Sequence, residues 1–380
     1  MKKLGFVLAF CCITSVPVVA CTIFVLSDGN RALFFNNEDW LNPKTRVWFV
    51  PAGTGHYGCA YVGFDDGRAQ GGLNTKGLAF DWVAGYVERW EPGPGMEKVR
   101  GNPSERMIET SATVEDAIAF FRTHREPDFS RARILVADST GASAVIEAKD
   151  GKMQVERANR SRGFGYCDPR LQGMLTRSPE PTVGNGAAIL RACMQKGETA
   201  TKYSNVFDLK LLDIFLFQFS EGDGSVKLNL SAELAKGGHY YDIPQIRQQL
   251  TEAPRPLLNN MKRFFLDQLK PIRDREPDVT RRLRAVMQDA MNGALQPDYF
   301  AAELWQELAP TQKEIQADMK RQGDLMSLVL VDRWDEGGKR GYRYIVEFRN
   351  VKALERLVLD EHDKIALLQS EGGERKPEAQ

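Results

Sequence analysis

The sequence predicts an α+β protein in two parts: two β-sheets packed between helix layers, then a small unit of helices followed by an antiparallel sheet. Three observations point there. Up to about residue 253, short apolar strand runs and helical runs come in alternating groups, as expected when sheets are covered by helices. From Pro254 the texture turns to charged helical sequence, broken by Pro254, Pro256, Pro271 and Pro277. Three strand runs with turn residues between them close the chain. With 380 residues and 42% apolar residues there is enough material for one large or two ordinary cores.

Residues 1–20 have the parts of a secretory leader: Lys2 and Lys3, an apolar run from Leu4 to Val19, and small residues before a cut after Ala20. Next come two strands, Thr22 to Leu26 and Arg31 to Asn36, around Ser27-Asp28-Gly29-Asn30, where Asp-Gly suits a two-residue type I′ turn. With that turn Leu26 faces Arg31 and Cys21 faces Asn36. Val47 to Val50 reads as a strand. Pro51 to Gly58 is a turn that fits Gly-x-Gly-x-x-Gly, but Cys59 to Phe64 after it is strand-like, so a dinucleotide site lacks its helix. Ala69 to Trp82 reads as a hairpin turning at Asn74 to Gly77, where Asn74 serves the turn.

Thr113 with Asp116 three residues later marks a helix start, followed by Val114, Ala117, Ile118 and Phe121 at helical spacing. Arg133 to Ala137, Ser143 to Glu147 and Met153 to Arg157 then form an antiparallel meander. Gly186 to Met194 is helical. Tyr203 to Leu209, Ile214 to Phe219 and Val226 to Leu230 are extended, and Ser231 to Ala235 is a short helix. Beyond a helical linker at 254–277, helices are predicted over Val279 to Asn292, Pro297 to Leu308 and Thr311 to Arg321. Strands follow over Leu325 to Arg333, Tyr342 to Arg349 and Ala353 to Leu359. The domain reading is therefore leader 1–20, main domain 21–253, linker 254–277, small domain 278–370 and a charged, disordered tail 371–380.

Composition narrows the function classes. The 51 basic and 51 acidic residues leave no basic surplus for nucleic acid. No run after the leader is long and apolar enough to cross a bilayer. Six cysteines are present, and Cys11 and Cys12 lie in the leader. Among Cys59, Cys167 and Cys193, one bridge or buried free thiols are both open. Without Cys-x-x-Cys or His-x-x-x-His pairs a zinc site has no support, and the reading calls for no metal and no cofactor.

Cleavage after Ala20 makes Cys21 the first residue, with thiol and free α-amine on one residue. Their ordinary pKa values, about 8.5 and about 7.7–8.0, let the amine take the thiol's proton near neutral pH. Asp39 is the candidate for holding the ammonium, with Glu38 expected to point to the other side of the strand. Val18-Val19-Ala20-Cys21 also suits a lipid-attachment signal, and acylating the α-amine would remove the base.

The run Cys21-Thr22 with Phe34-Phe35-Asn36-Asn37-Glu38-Asp39-Trp40, and then Gly71-Gly72-Leu73-Asn74-Thr75-Lys76-Gly77-Leu78, resembles the choloylglycine hydrolase and penicillin V acylase group of N-terminal-nucleophile (Ntn) hydrolases. Tyr203-Ser204-Asn205-Val206-Phe207-Asp208-Leu209 is similar to a segment of related linear amide hydrolases and acyltransferases. The resemblance implies a four-layer αββα sandwich, Cys21 as nucleophile and Asp39 as its partner. Asn36 stands where the family has an arginine, so the charge preference of the substrate is open. Aromatics at the positions of Trp40 and Trp82 line the family's acyl pocket, and a backbone N–H near Trp82 is the candidate first oxyanion donor. The family's second donor, an asparagine, is missing from Arg162 to Arg170, leaving Tyr166, a backbone amide or Asn205 as substitutes. Arg170 is the candidate for a late active-site arginine. Gly341-Tyr342-Arg343-Tyr344 with Val346-Glu347-Phe348 resembles a SnoaL-like or nuclear-transport-factor-like cone domain.

The expectation is an exported, periplasmic or secreted hydrolase of linear acyl amides working through a thioester on Cys21. Its partner is a small-molecule acyl amide. A membrane enters only where Cys21 carries lipid, and self-association is left open. A lipid-anchored scaffold or an acyltransferase are the alternatives.

Overall fold

The computed structural model describes residues 21–375 except 100, 198, 220, 221, 223, 259, 260, 262–268 and 337. The expected leader, 1–20, and residues 376–380 lie outside the described residues. The chain divides between residues 263 and 264 into two compact units.

The first unit opens with β1 (Thr22–Ser27), β2 (Ala32–Asp39), β3 (Thr45–Val50), β4 (Cys59–Phe64), β5 (Ala69–Asn74) and β6 (Ala79–Ala84). The short β7 (Glu97–Lys98), helices α1 (Pro103–Thr110) and α2 (Val114–Thr123), and the short β8 (His124–Arg125) follow. The predicted meander is β9 (Ala132–Ala137), β10 (Ser143–Lys149) and β11 (Lys152–Ala158), succeeded by β12 (Arg162–Gly165), α3 (Asp168–Leu175) and α4 (Val183–Ala192). The unit closes with β13 (Thr201–Asp208), β14 (Asp213–Phe217), β15 (Ser225–Asn229), α5 (Leu230–Leu234), β16 (His239–Asp242), α6 (Ile246–Gln249) and β17 (Arg255–Pro256). Thr113 and Asp116 form the predicted capping box, Thr113 Oγ1 accepting from the Asp116 N–H at 3.2 Å and Asp116 Oδ2 from the Thr113 N–H at 3.0 Å.

These strands make a six-stranded sheet, β12-β1-β2-β13-β14-β15, and a nine-stranded sheet, β11-β10-β9-β6-β5-β4-β3-β16-β17. Alternate residues of each strand serve opposite faces. Ile23, Val25 and Phe34 meet Val47, Phe49 and Leu135 between the sheets. Phe24 and Phe35, stacked at 4.6 Å, face the other way and bury Leu171 of α3 and Leu190 of α4. On the far side of the larger sheet, Phe80 and Val136 pack with Met107 and Ile108 of α1 and Ile118 and Phe121 of α2. The result is a four-layer αββα sandwich, the fold class the sequence predicts. Each buried Phe, Leu or Ile stabilises it by about 1.5–3 kcal/mol.

Strand β12 is absent from the sequence reading because Arg162–Gly165 is short and carries two glycines. It lies tightly along β1. Gly165 has φ +138°, and a Cβ there would fall 2.0 Å from the Cys21 carbonyl oxygen. Cys167, just before α3, is bonded to Cys193 at the end of α4, with Cα atoms 5.2 Å apart, while Cys21 and Cys59 are free and buried.

The second unit has α7 (Pro277–Asn292), α8 (Ala302–Leu308) and α9 (Gln312–Gln322), then an antiparallel sheet of β18 (Leu325–Glu336), β19 (Lys339–Phe348), β20 (Val351–Leu359) and β21 (Ile365–Arg375). Leu283, Val286 and Met287 of α7 pack on Tyr342, Tyr344 and Leu357. The expected helix from Pro297 is interrupted, because Phe300 bridges to Ile365 and the Ala301 N–H donates to the Ile365 carbonyl at 2.9 Å. β21 pairs with β20 as far as Arg375 and so runs into the stretch expected to be a disordered tail. The expected helical linker lies partly outside the described residues, and its start is a strand, Arg255 pairing with Tyr240.

Candidate active site

The hairpin that carries Cys21 turns differently from the two-residue expectation. Asp28 Oδ1 accepts from the N–H groups of Asn30 and Arg31, both at 2.8 Å, and the Asp28 N–H donates to the Arg31 carbonyl at 3.3 Å. The side chain thus stabilises a longer turn, Asp28 to Arg31, between Ser27 and its partner Ala32. Pairing moves by two residues: Ile23, not Cys21, faces Asn36, and Thr22 faces Asn37. A shift by an even number keeps the faces, so Cys21 still shares a face with Asn36. It also shares that face with Glu38, which corrects the expectation that Glu38 points away.

The inward face of β2 and β13 gathers a buried polar cluster. Cys21 Sγ lies 3.5 Å from Glu38 Oε1 and 3.9 Å from the Asp39 carbonyl. Asn36 Nδ2 donates to Glu38 Oε2 at 3.2 Å and to Asn205 Oδ1 at 3.3 Å, and the Tyr203 hydroxyl reaches Glu38 Oε2 at 3.4 Å. Asn36 and Asn205 are directly paired across the two strands, as are Glu38 and Tyr203. The outward face is structural: Asn37 donates to the Leu190 carbonyl at 2.8 Å and accepts from Ser204 Oγ at 2.6 Å.

Asp39 falls with Asn37 by alternation. Its Oδ1 accepts from Thr201 Oγ1 at 2.5 Å, so its backbone carbonyl, rather than its carboxylate, meets the thiol. From the facing sheet, β6 contributes Asp81. Ala79 and Val83 point between the sheets while Phe80 and Trp82 point to the helices, and Asp81 goes with the first pair. Its Oδ1 accepts from the Trp82 N–H at 2.7 Å.

Burial dominates the electrostatics. It pushes the Cys21 thiol well up, and the Glu38 and Asp39 carboxylates add to the rise. Burial lifts Glu38 to about 7, against hydrogen bonds from Asn36, Cys21 and Tyr203 that pull it down. Asp39 is lifted to about 8 by burial, with Thr201 pulling down, Glu38 pushing up and Lys202 pulling down. Asp81 is raised by burial and then by Glu38. Several buried polar atoms have no hydrogen-bond partner among the described residues: Asn36 Oδ1, Asn205 Nδ2, Asp39 Oδ2 and Asp81 Oδ2. Among the described residues no group of three or more His, Cys, Asp and Glu is arranged to hold a metal ion.

The remaining predicted residues stand elsewhere. Trp82 faces the helices: its Nε1 donates to Ser104 Oγ at 3.1 Å and its ring packs on Phe129. Its backbone N–H, the expected oxyanion donor, is taken by Asp81 Oδ1. Arg170 lies exposed on α3, its guanidinium donating to the Ala192 carbonyl at 2.7 Å, which satisfies the C-terminus of α4 instead of serving Cys21. Trp40 is 47% exposed in the loop after β2. Tyr166 is exposed too, and only its backbone approaches the site, its N–H donating to the Cys21 carbonyl at 3.0 Å. Sequence reasoning missed Asp81 and Tyr203 and set Glu38 aside. The signal for Asp81 was a lone carboxylate inside the apolar strand Leu78-Ala79-Phe80-Asp81-Trp82.

Two stacked antiparallel sheets between helices, with a cysteine at the head of a strand facing the sheet interface, define the class: an αββα sandwich with a buried thiol–carboxylate cluster. No protein-family model matches the chain, and no curated protein matches it. Among solved structures, penicillin V acylase from Agrobacterium tumefaciens is similar at a TM-score of 0.46 and 14% identity, over 58% of this chain and 90% of that one. A mutant of the conjugated bile acid hydrolase from Clostridium perfringens is similar at a TM-score of 0.43 and 14% identity, over 59% of this chain and 96% of that one.

Proposed function

We propose that the chain is an exported hydrolase of linear acyl amides whose nucleophile is Cys21, made competent by cleavage after Ala20. The observation that carries the reading is the position of Cys21: immediately before β1, facing the sheet interface, with Sγ 3.5 Å from a buried carboxylate. The sequence motifs around Asn36 to Trp40 and Gly71 to Leu78 support it. The Cys167–Cys193 bond fits an oxidising compartment and supports export.

The chemistry follows from what cleavage adds. While Cys21 is in peptide linkage its thiol sits among carboxylates with a raised pKa, and is a poor nucleophile. A freed α-amine brings both a proton acceptor and, once protonated, a positive charge. It takes the thiol proton as Sγ attacks the amide carbon. Asn205 Nδ2, buried and without a partner among the described residues, is a side-chain donor for the resulting oxyanion. Breaking the C–N bond leaves the acyl group on sulfur, and the ammonium returns its proton to the departing amine. Water, deprotonated by the same amine, then attacks the thioester, releasing the acid and restoring the thiol.

Intact mass of the exported protein tests the first step: it should begin at an unmodified Cys21. Brief exposure to arylacetyl, steroid and long-chain acyl amides should then leave an acyl mass on Cys21, and Cys21→Ala should lose both adduct and turnover. A diacylglyceryl mass on Cys21, or full activity in Cys21→Ala, would refute the reading.

A further inference from the structure

The cluster has more acceptors than donors, and the excess is buried. Asp81 is wholly buried, its Oδ1 held by the Trp82 N–H and its Oδ2 without a partner among the described residues. Among the described residues Asn36 Oδ1, also wholly buried, has no partner either, and Glu38 Oε1 meets the thiol at 3.5 Å. The fold makes room for this. Asp81 pairs across strands with Gly71, where a Cβ would come within 2.1 Å of Asp81 Oδ2, so only glycine opposite leaves the carboxylate its place. Leaving such groups unpaired is unfavourable, more so when they are charged, unless a ligand completes them.

We infer that Asp81, Glu38 and Asn36 form a three-acceptor seat for the α-ammonium of Cys21, and that Asp81 is a positioning residue for the reaction. The inference rests on the proposed cleavage and names what the freed amine binds. An ammonium group offers three N–H donors, which matches Asp81 Oδ2, Glu38 Oε1 and Asn36 Oδ1. The charges support the same arrangement. Asp81 acts on Cys21 and Tyr203, and Glu38 acts on Asp81, so β6 of one sheet faces Cys21, β2 and β13 of the other. The titratable groups around the seat are Glu38 and Asp39 from β2, Asp81 from β6 and Tyr203 from β13, while Lys202 acts on Asp39. Two carboxylates facing one amine raise its pKa, hold it protonated longer, and fix it beside the sulfur it must serve.

The experiment uses the full mature chain with 13C-labelled cysteine, following the Cys21 Cα resonance with pH to titrate the α-amine. The wild-type pKa should lie above the ordinary range of about 7.7–8.0. Asp81→Asn should lower it by about one to three units, and Glu38→Gln should lower it comparably. The acid limb of kcat/KM, which needs the neutral amine, should move to lower pH by the same amount, a displacement that loss of packing alone would not produce. If Asp81→Asn does not fold, the smaller Asp81→Ser carries the same readout. An α-amine pKa unmoved by either Asp81 variant, or moved by Asp39→Asn instead, overturns this inference and leaves the hydrolase reading intact. A mature chain with no free amine on Cys21 overturns both.

Discussion

Replacing Glu38 by Gln in a chain that keeps one residue ahead of Cys21 should change stability in a pH-dependent way. In that linkage Glu38 is buried among neutral partners and its pKa is lifted from 4.5 to about 7. A carboxyl whose folded pKa is raised contributes stability that is complete below its unfolded pKa and is lost as pH rises through the folded value. Each unit is worth about 1.4 kcal/mol, so the native state gives up about 3 kcal/mol between pH 4.5 and 8.5 on account of this group alone. Gln has nearly the same shape and no charge to lose. The variant should therefore match the parent near pH 4.5 and exceed it by up to about 3 kcal/mol at pH 8.5. Urea unfolding at both pH values, read from the fluorescence of buried Trp48, measures the difference. In a chain cut before Cys21 the gain should shrink or reverse if the proposed ammonium sits beside this carboxylate. An equal effect at both pH values would mean that Glu38 is not a strained, buried acid, and the electrostatic account of the site would fail.

Two further outcomes follow from the scaffold. Removing the Cys167–Cys193 bond, which spans 26 residues, should cost about 3–4 kcal/mol in denaturant unfolding under non-reducing conditions; a loss below 1 kcal/mol would mean that α3 and α4 are held by packing alone. Gly165→Ala should destabilise the unit by about 2 kcal/mol or more, through a left-handed backbone and a Cβ driven into the Cys21 carbonyl, and an unchanged melting temperature would contradict that close approach.

What could be read from the sequence, and what could not, divides along the range of the forces involved. The Thr113–Asp116 box and the β9–β11 meander depend on neighbours in sequence, and both were legible. Hairpin register was not, because the Asp28 carboxylate chose a longer turn than the Asp-Gly pair suggests. Strand parity sets the side chains of β6 apart: the Trp82 ring packs towards the helices, while Asp81, one residue earlier, shares the Cys21 side with Ala79 and Val83. Period-two alternation applied to Asn36-Asn37-Glu38-Asp39 already separates Glu38 from Asp39, and that information was available without coordinates. The pairing of Cys167 with Cys193 was not, since it depends on two helices meeting on the outer face of a sheet. Neither was α1, although Asn102 followed by Pro103 is a helix start: the Asn102 side chain accepts from the Ser104 N–H at 3.0 Å.

The turn from Asp28 to Arg31 governs more than the shape of a loop. Because β2 shows its even-numbered side chains to the thiol and its odd-numbered ones to α4, a slip of its pairing by one residue would rotate Asn37 and Asp39 inward and send Asn36 and Glu38 to the helix. The pairing of β2 with β13 and the apolar pair Phe34 and Phe35 hold the same register from the strand itself. A turn at one end of the hairpin thus bears on which side chains the Cys21 sulfur meets at the other.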